Sequence, residues 1–309
     1  MLIINEAEGK IGKRPSERPI GELLEYGIAV IDKPPGPSSH EVSAFARKIL
    51  SLKATGHTGT LDQNVSGVLV VLLGSSRKMA GYLSKADKKY VCVMRLSKPT
   101  SNAQLECALD NFRGEIYQKP PLQSAVAKKL RIRKIHSLNV LEIRENLALF
   151  ECACEAGTYI RKLVFDIGEI LGIKAEMAEL RRVRAGQFDE KQAVSLQELA
   201  DHYWAWKEKG DDSYIRRTIF PIETLKMKKI VLTDASAQKI RNGIRPKISD
   251  VMALDENIDS LDVVGLFTLN GELIAAARSL MPSHEVKLKH ASDEDALPVA
   301  AIERVIHEF

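Results

Sequence analysis

The chain is poor in the features that mark secreted, membrane-bound or nucleotide-hydrolysing proteins. It has four cysteines in 309 residues, in no regular framework, which fits a reducing interior rather than a disulfide scaffold. No apolar run approaches the length of a membrane span, and the N-terminus has no signal-peptide core, so no membrane association is expected. No Gly-Lys-Ser/Thr closes a phosphate-binding loop. Internal repeats and low-complexity blocks are likewise missing.

What remains is an ordinary globular composition, 45% hydrophobic and 28% charged, with room for a catalytic core and a smaller module. The net charge of +4 is unevenly spread. Residues 228–309 hold ten Lys/Arg against thirteen Asp/Glu, and the first 227 hold 35 against 28. Two clusters concentrate the excess: Lys128, Lys129, Arg131, Arg133 and Lys134, then Arg181, Arg182 and Arg184. Either alone fits a solvated face; together they favour a polyanionic partner.

The most informative stretch is residues 55–67, Thr-Gly-His-Thr-Gly-Thr-Leu-Asp-Gln-Asn-Val-Ser-Gly. One carboxylate, Asp62, sits in a loop of small and hydroxylated residues, followed by the apolar run Val68 to Leu73 with the character of a buried strand. An Asp in such a loop is commonly a turn residue. An acid presented on an anchored loop also suits nucleophilic chemistry, given a positive partner to keep it ionised. The Gly-His-Thr-Gly segment is a weak match to the loop that KH domains place on nucleic-acid backbones.

Residues 1–26 are polar, basic and broken by Gly9, Gly12, Pro15 and Pro19, and read as an arm. A short strand at Ile28–Ile31 is stopped by Asp32–Pro37. Ser38 and Ser39 then offer caps for a helix with Val42, Phe45, Ala46 and Ile49 at apolar positions. Residues 117–134 read as a mobile basic loop. Cys152 and Cys154 alternate along a strand, where a buried face fits better than a metal pair. After Gly157, apolar residues recur at helical spacing to Leu171, with Thr158 placed to cap and Gly172 to stop. Arg161 lies in the first turn, where the helix dipole slightly disfavours a cation; a buried carboxylate such as Asp62 would compensate it, while an exposed Arg there would feel almost nothing. A boundary falls near residues 221–229. Beyond it, short strands and a hairpin at Asn270-Gly271 suggest a small β-barrel.

Six segments, in order, resemble the TruB/dyskerin branch of pseudouridine synthases, most specifically the archaeal catalytic subunit of box H/ACA guide-RNA particles. They are Ile31 to His40, Gly56 to Gly67, Lys88-Lys89-Tyr90, Arg113 to Ile116, Gly157 to Arg161, and Glu179 to Arg184. The resemblance implies an α+β fold: a mixed, largely antiparallel sheet with flanking helices over residues 27–227, then a PUA-like β-barrel over 228–309. It implies Asp62 as the nucleophile, Tyr90 as the residue that stacks on the flipped base and shares in proton removal, and Arg161 as the partner of the carboxylate. His57 then helps extrude the nucleotide, Leu180 walls the base pocket, and Lys33 with Pro34 supports it from beneath. Lys128, Lys129 and Arg131 fall in a thumb loop over the RNA.

The reaction this implies is isomerisation of uridine in RNA: ribosomal RNA chosen by a guide RNA, with the T-loop uridine of tRNA as a second candidate substrate. No metal or redox cofactor is required. Implied partners are guide, ribosomal and transfer RNAs, a kink-turn-binding ribosomal-type protein, a Gly/Arg-rich-type protein and a small zinc-ribbon-like subunit. The alternatives are a guide-free tRNA enzyme and a non-catalytic RNA-binding scaffold. Two departures stand out. Gln63 replaces the family's proline after the aspartate, which should loosen the loop by up to about 1 kcal/mol, and residues 97–104 are less typical. The lysine-rich tails of eukaryotic dyskerins are missing, which favours an archaeal-like cytoplasmic protein.

Overall fold

The computed structural model describes residues 1–4, 8–120, 129–292 and 294–307. A ten-stranded sheet forms the larger body. Its path runs Ile219–Pro221, Gly27–Lys33, Ser66–Leu73, Ala175–Ala185, Lys88–Leu96, Leu147–Cys154, Arg131–Arg144, Gly114–Gln118. Neighbours are antiparallel except where Ser66 and Gly67 pair in parallel with Arg181 and Arg182. That crossing needs a glycine: Gly67 has φ +106°, and a Cβ there would lie 2.2 Å from the Arg182 carbonyl oxygen. The short strand Thr55–Thr58 pairs with Val70–Leu73 on the edge opposite Gly27–Lys33 and carries the chain into the Asp62 loop.

Two helices matter most for the site. Ser39–Ile49 begins with a reciprocal cap in which Ser38 accepts from the Glu41 amide and Glu41 accepts from the Ser38 amide. Its buried face is Ser39, Val42, Ser43 and Ala46, so Phe45, expected on the apolar stripe, instead lies exposed. Ile160–Leu171 buries Ile160, Leu163, Val164 and Ile167 and ends at Gly172 in the left-handed conformation. Its N-cap is Tyr159 rather than Thr158, whose hydroxyl donates to the Glu155 carbonyl instead.

The expected basic loop over 117–134 is shorter than its sequence suggests. Gly114–Gln118 and Arg131–Arg144 pair as antiparallel strands, in register from Gly114 opposite Ile135 to Gln118 opposite Arg131. Lys128 lies outside the described residues.

A second, six-stranded sheet gathers the C-terminal segments into the PUA-like unit: Val251–Leu254, Lys228–Leu232, Val263–Phe267, Leu273–Ser279 and Ala300–Val305, with Leu2–Ile3 along the edge. The N-terminal stretch is therefore not a simple arm. Leu2 and Ile3 pair with Leu254 and Ala253, and the helix Ile20–Glu25 buries Ile20, Leu23 and Leu24. Between these, Arg18 is fully buried. Its guanidinium donates to both oxygens of Glu223 at 2.8 and 2.7 Å and to Glu272 at 2.8 Å. One cation thus joins the N-terminal stretch, the connection at residue 223 and the C-terminal sheet.

Candidate active site

Asp62 is presented on a turn closed by the Val65 amide donating to its carbonyl. The Arg161 guanidinium donates through Nη2 to Asp62 Oδ2 at 2.8 Å across 99 residues of chain. Both side chains face solvent, 53% exposed for Arg161 and 65% for Asp62. The carboxylate is thus not the buried one expected. Its surroundings become dry only when something covers them.

The backbone around Asp62, by contrast, is fixed by buried side chains on both flanks. Ser39, fully buried, uses one hydroxyl for both groups of Leu61: it accepts from the amide at 2.8 Å and donates to the carbonyl at 3.1 Å. Lys33, also fully buried, donates to the carbonyls of Pro34, Gln63 and Val65 at 2.9, 3.0 and 2.8 Å. The Gly36 amide adds a bond to the Gln63 carbonyl at 2.9 Å. Arg182, buried, donates to the carbonyls of Gly59 at 2.9 Å and Val68 at 2.8 Å. Buried donors that consume carbonyls are costly to remove, because each leaves unpaired groups behind. These contacts hold the turn at Gln63 in place of the proline ring. Lys33 is thereby placed beneath the loop as its support, not on the substrate side.

Tyr90, on Lys88–Leu96, is 9% exposed and stands opposite Arg182 in the sheet register. Burial raises its hydroxyl above the usual phenol range, with the nearby guanidinium opposing. Leu61, Val65 and Tyr90 belong to one packed cluster, and half-buried Leu180 rests against it. An exposed acid therefore stands at the rim of an apolar wall with a buried phenol. Cys92, Cys152 and Cys154 lie in the same core, so the Cys pair is a packed strand face.

His57 is half-buried, its ring edge-on to His40 at 4.6 Å. Burial, then His40 and Arg182, push it below the usual imidazole range. Lys129 is exposed and Arg131 half-buried, at the mouth of the strand pair that leads to the undescribed segment.

The second basic cluster does not form the open face its sequence suggests. Arg181 is clasped by Asp32 at 3.0 Å and by Glu190, while Arg182 points inward. Side-chain alternation along Ala175–Ala185 was the signal available for that inward turn. Two further residues were given no role from the sequence. Lys88 is 4% exposed and, mainly by burial, is pushed down to about 8. Gln118, 2% exposed, clamps Tyr159: its side chain accepts from the Tyr159 amide at 2.9 Å and donates to the carbonyl at 3.2 Å. That clamp sits two residues before Arg161.

Comparison with known proteins identifies the family. The TruB family pseudouridylate synthase N-terminal domain matches residues 47–160, the tRNA pseudouridylate synthase B C-terminal domain matches 161–226, and the DKCLD domain matches 5–43. A relative from Pyrobaculum aerophilum, named probable tRNA pseudouridine synthase B, is 44% identical over 278 residues, 89% of this chain and 84% of that protein. A solved Cbf5-Nop10-Gar1 complex contains a chain 38% identical, with TM-score 0.91, covering 99% of this chain and 93% of that one. A structure of an H/ACA RNP bound to a substrate RNA containing 2'-deoxyuridine matches at TM-score 0.90 and 35% identity, over 99% of this chain and 94% of that one. These matches cover most of the chain, and this chain belongs to the TruB family of pseudouridylate synthases.

Proposed function

We propose that the protein converts uridine to pseudouridine within RNA, with Asp62 as the attacking carboxylate, on targets selected by a box H/ACA guide RNA. The observation that carries this reading is the Asp62–Arg161 pair on a loop whose backbone is clamped by Ser39, Lys33 and Arg182. The reaction breaks the N–C glycosidic bond and joins the same ribose carbon to C5 of the uracil. It therefore needs a nucleophile, a holder for the detached base and an acceptor for the C5 proton. Asp62 supplies the first, with Arg161 holding it ionised and aimed. Tyr90 and Leu180 supply the second, and Tyr90 shares in the third.

A paired uridine cannot reach Asp62, so the nucleotide flips out at a cost of a few kcal/mol. Stacking on an aromatic ring returns about 1–3 kcal/mol. His57 assists the extrusion, and RNA laid over Asp62 and Arg161 excludes the water that covers them in the free protein. Lys129 and Arg131, with Lys128, meet the RNA backbone from the loop side. In the PUA-like unit, Lys239, Arg241, Arg245 and Lys247 are all exposed around the turn at Gly243, a surface suited to an RNA end.

Guide dependence is supported by likeness to chains in structures titled as Nop10, Gar1 and H/ACA complexes. Partners of those kinds, together with a kink-turn-binding protein and the guide, are proposed for this chain in the cytoplasm. Among the described residues no helix is long and apolar enough to cross a membrane. A second reading, a guide-free tRNA enzyme, is favoured by the names of the curated relatives. The experiment is pseudouridine formation in a tRNA T-loop transcript and in a guide-matched ribosomal fragment, with the protein alone and then with guide and partner proteins. Product in the fragment only with guide and partners supports the first reading. Product confined to unguided tRNA supports the second, and none in either favours an RNA-binding scaffold.

A further inference from the structure

Beside the Asp62 loop lies an open cleft of about 490 Å³ between the helix Ser39–Ile49 and the strand Thr55–Thr58. On the helix side its lining is His40, Ser43, Ala44 and Arg47, spaced i, i+3, i+4, i+7, so one face of that helix forms the wall. Across from it stand Lys53, Gly56 and His57. The two small residues make a floor, and cation-forming or imidazole side chains stand at both ends and on the far wall. No carboxylate lines the cleft. Glu41, on the same helix, is engaged with the Ser38 amide at 2.7 Å.

The cleft is built rather than incidental. Ser43 and Thr55 tie its two walls together through a hydroxyl pair at 3.0 Å, and the Thr55 hydroxyl donates to the Ser43 carbonyl at 2.9 Å. Gly56 lies against another cationic residue, since a Cβ there would come within 3.2 Å of Arg77 Cβ. None of Arg47, Lys53 or Ser43 has a part in the chemistry assigned above. A concave, cation-lined surface with no acid suits a phosphate diester. The strand that forms its wall runs straight into Gly59–Asp62, so a chain seated in it continues toward the reacting nucleotide.

We propose that this cleft seats backbone phosphate of the substrate RNA strand next to the target nucleotide, with Arg47 and Lys53 as its principal contacts. The inference rests on the RNA-modifying reading above and adds the path of the strand. Its function is to hold the flanking backbone still while the target base swings out, so that flipping moves the nucleotide rather than the whole strand.

The test is the salt dependence of affinity for a short single-stranded oligoribonucleotide with one uridine, measured on the full chain. Each lost phosphate contact lowers the slope of log K against log salt by about 0.7 for a single strand. Arg47→Gln with Lys53→Gln is expected to lower the slope by roughly 1.4 units. Ala44→Glu, which places an acid in the cleft and removes no cation, is expected to weaken binding by tenfold or more at low salt. An unchanged slope in the double variant, with unchanged affinity in Ala44→Glu, overturns the proposal.

Wild-type pseudouridine formation, run in parallel with guide and partners, separates the two failures. Product from wild type with no change in the variants' binding sinks the cleft alone. Lost slope in the variants with no product from wild type sinks the catalytic reading and leaves the cleft as an RNA site.

Discussion

Arg161 Nη2 lies 2.8 Å from Asp62 Oδ2, and yet each side chain keeps more than half of its surface in solvent. An ion pair this exposed contributes little to folding, roughly 0–1 kcal/mol. Its position cannot be explained by stability. Arg161→Met is expected to leave the thermal unfolding midpoint within about 2–4 °C of wild type for a protein of this size. Turnover should fall by at least a hundredfold, as for loss of a group that orients a reacting charge. Paired calorimetry and single-turnover assays check this. A large drop in midpoint with turnover intact would make the pair structural.

Lys33 has the opposite profile. It is fully buried, held below its ordinary range mainly by burial and next by the Arg182 charge, and bonded to three backbone carbonyls. Lys33→Met leaves the Pro34 and Val65 carbonyls without this donor, at about 1–3 kcal/mol each where they stay buried, while the Gln63 carbonyl keeps the Gly36 amide. The variant is expected to unfold several degrees lower and to lose turnover because the Asp62 turn loosens. Chemical denaturation of the variant decides it, and wild-type stability would show that the carbonyls find other donors.

Ser39→Ala and Gln118→Ala probe the two clamps separately. Each removes the side chain that holds both backbone groups of a residue close to the proposed catalytic pair, Leu61 next to Asp62 or Tyr159 two residues before Arg161. Both are expected to lower kcat at least tenfold while changing RNA affinity by less than threefold, because neither touches phosphate. Equal effects on kcat and affinity would assign them to binding.

The globular composition and the Asp62 loop were legible because they are local, whereas the α+β fold followed from the family resemblance. The loop's residues are contiguous, and its glycines and the buried strand after it leave their mark within residues 55–73. Arg161 was legible as a cation at an unfavourable helix end. What could not be read were relations set by distant segments. Gln118 meets Tyr159 across 41 residues, and Arg18 meets Glu223 and Glu272 across 205 and 254. A residue that pairs so far away looks like surface charge in a local window, which is why the N-terminal stretch read as an arm. Arg182 misled for a related reason: three arginines within four residues suggest one basic face, but a strand sends alternate side chains to opposite sides.

The Arg18 junction carries its own expectation. Burial alone would push Glu272 upward, but His307 and Arg18 together hold it below the ordinary carboxylate range. Arg18→Ala strands two buried acids and is expected to cost about 3–5 kcal/mol. Thermal unfolding measures this directly. A shift within error of zero would mean that water reaches the acids.

Lys88 makes a pH-dependent prediction. Its folded pKa, pushed down from 10.5 to about 8 chiefly by burial, means the folded chain releases this proton before the unfolded chain does. Between those values the unfolded state binds more protons, so this group's contribution to stability rises with pH. Wild type minus Lys88→Met should gain on the order of 2 kcal/mol between pH 8 and 10. A flat difference would show that the Ser84 and Ala86 carbonyls, which accept from the amine, keep it charged.

The central claim is that the Asp62 carboxylate does the chemistry while other groups bind the RNA. The most direct test is single-turnover pseudouridine formation by wild type and Asp62→Asn, with guide and partners present, beside RNA affinity measured on the same preparations. No product from Asp62→Asn with affinity within about tenfold of wild type is the expected result, since phosphate contacts carry most of the binding. Product from Asp62→Asn at a rate near wild type would contradict the account.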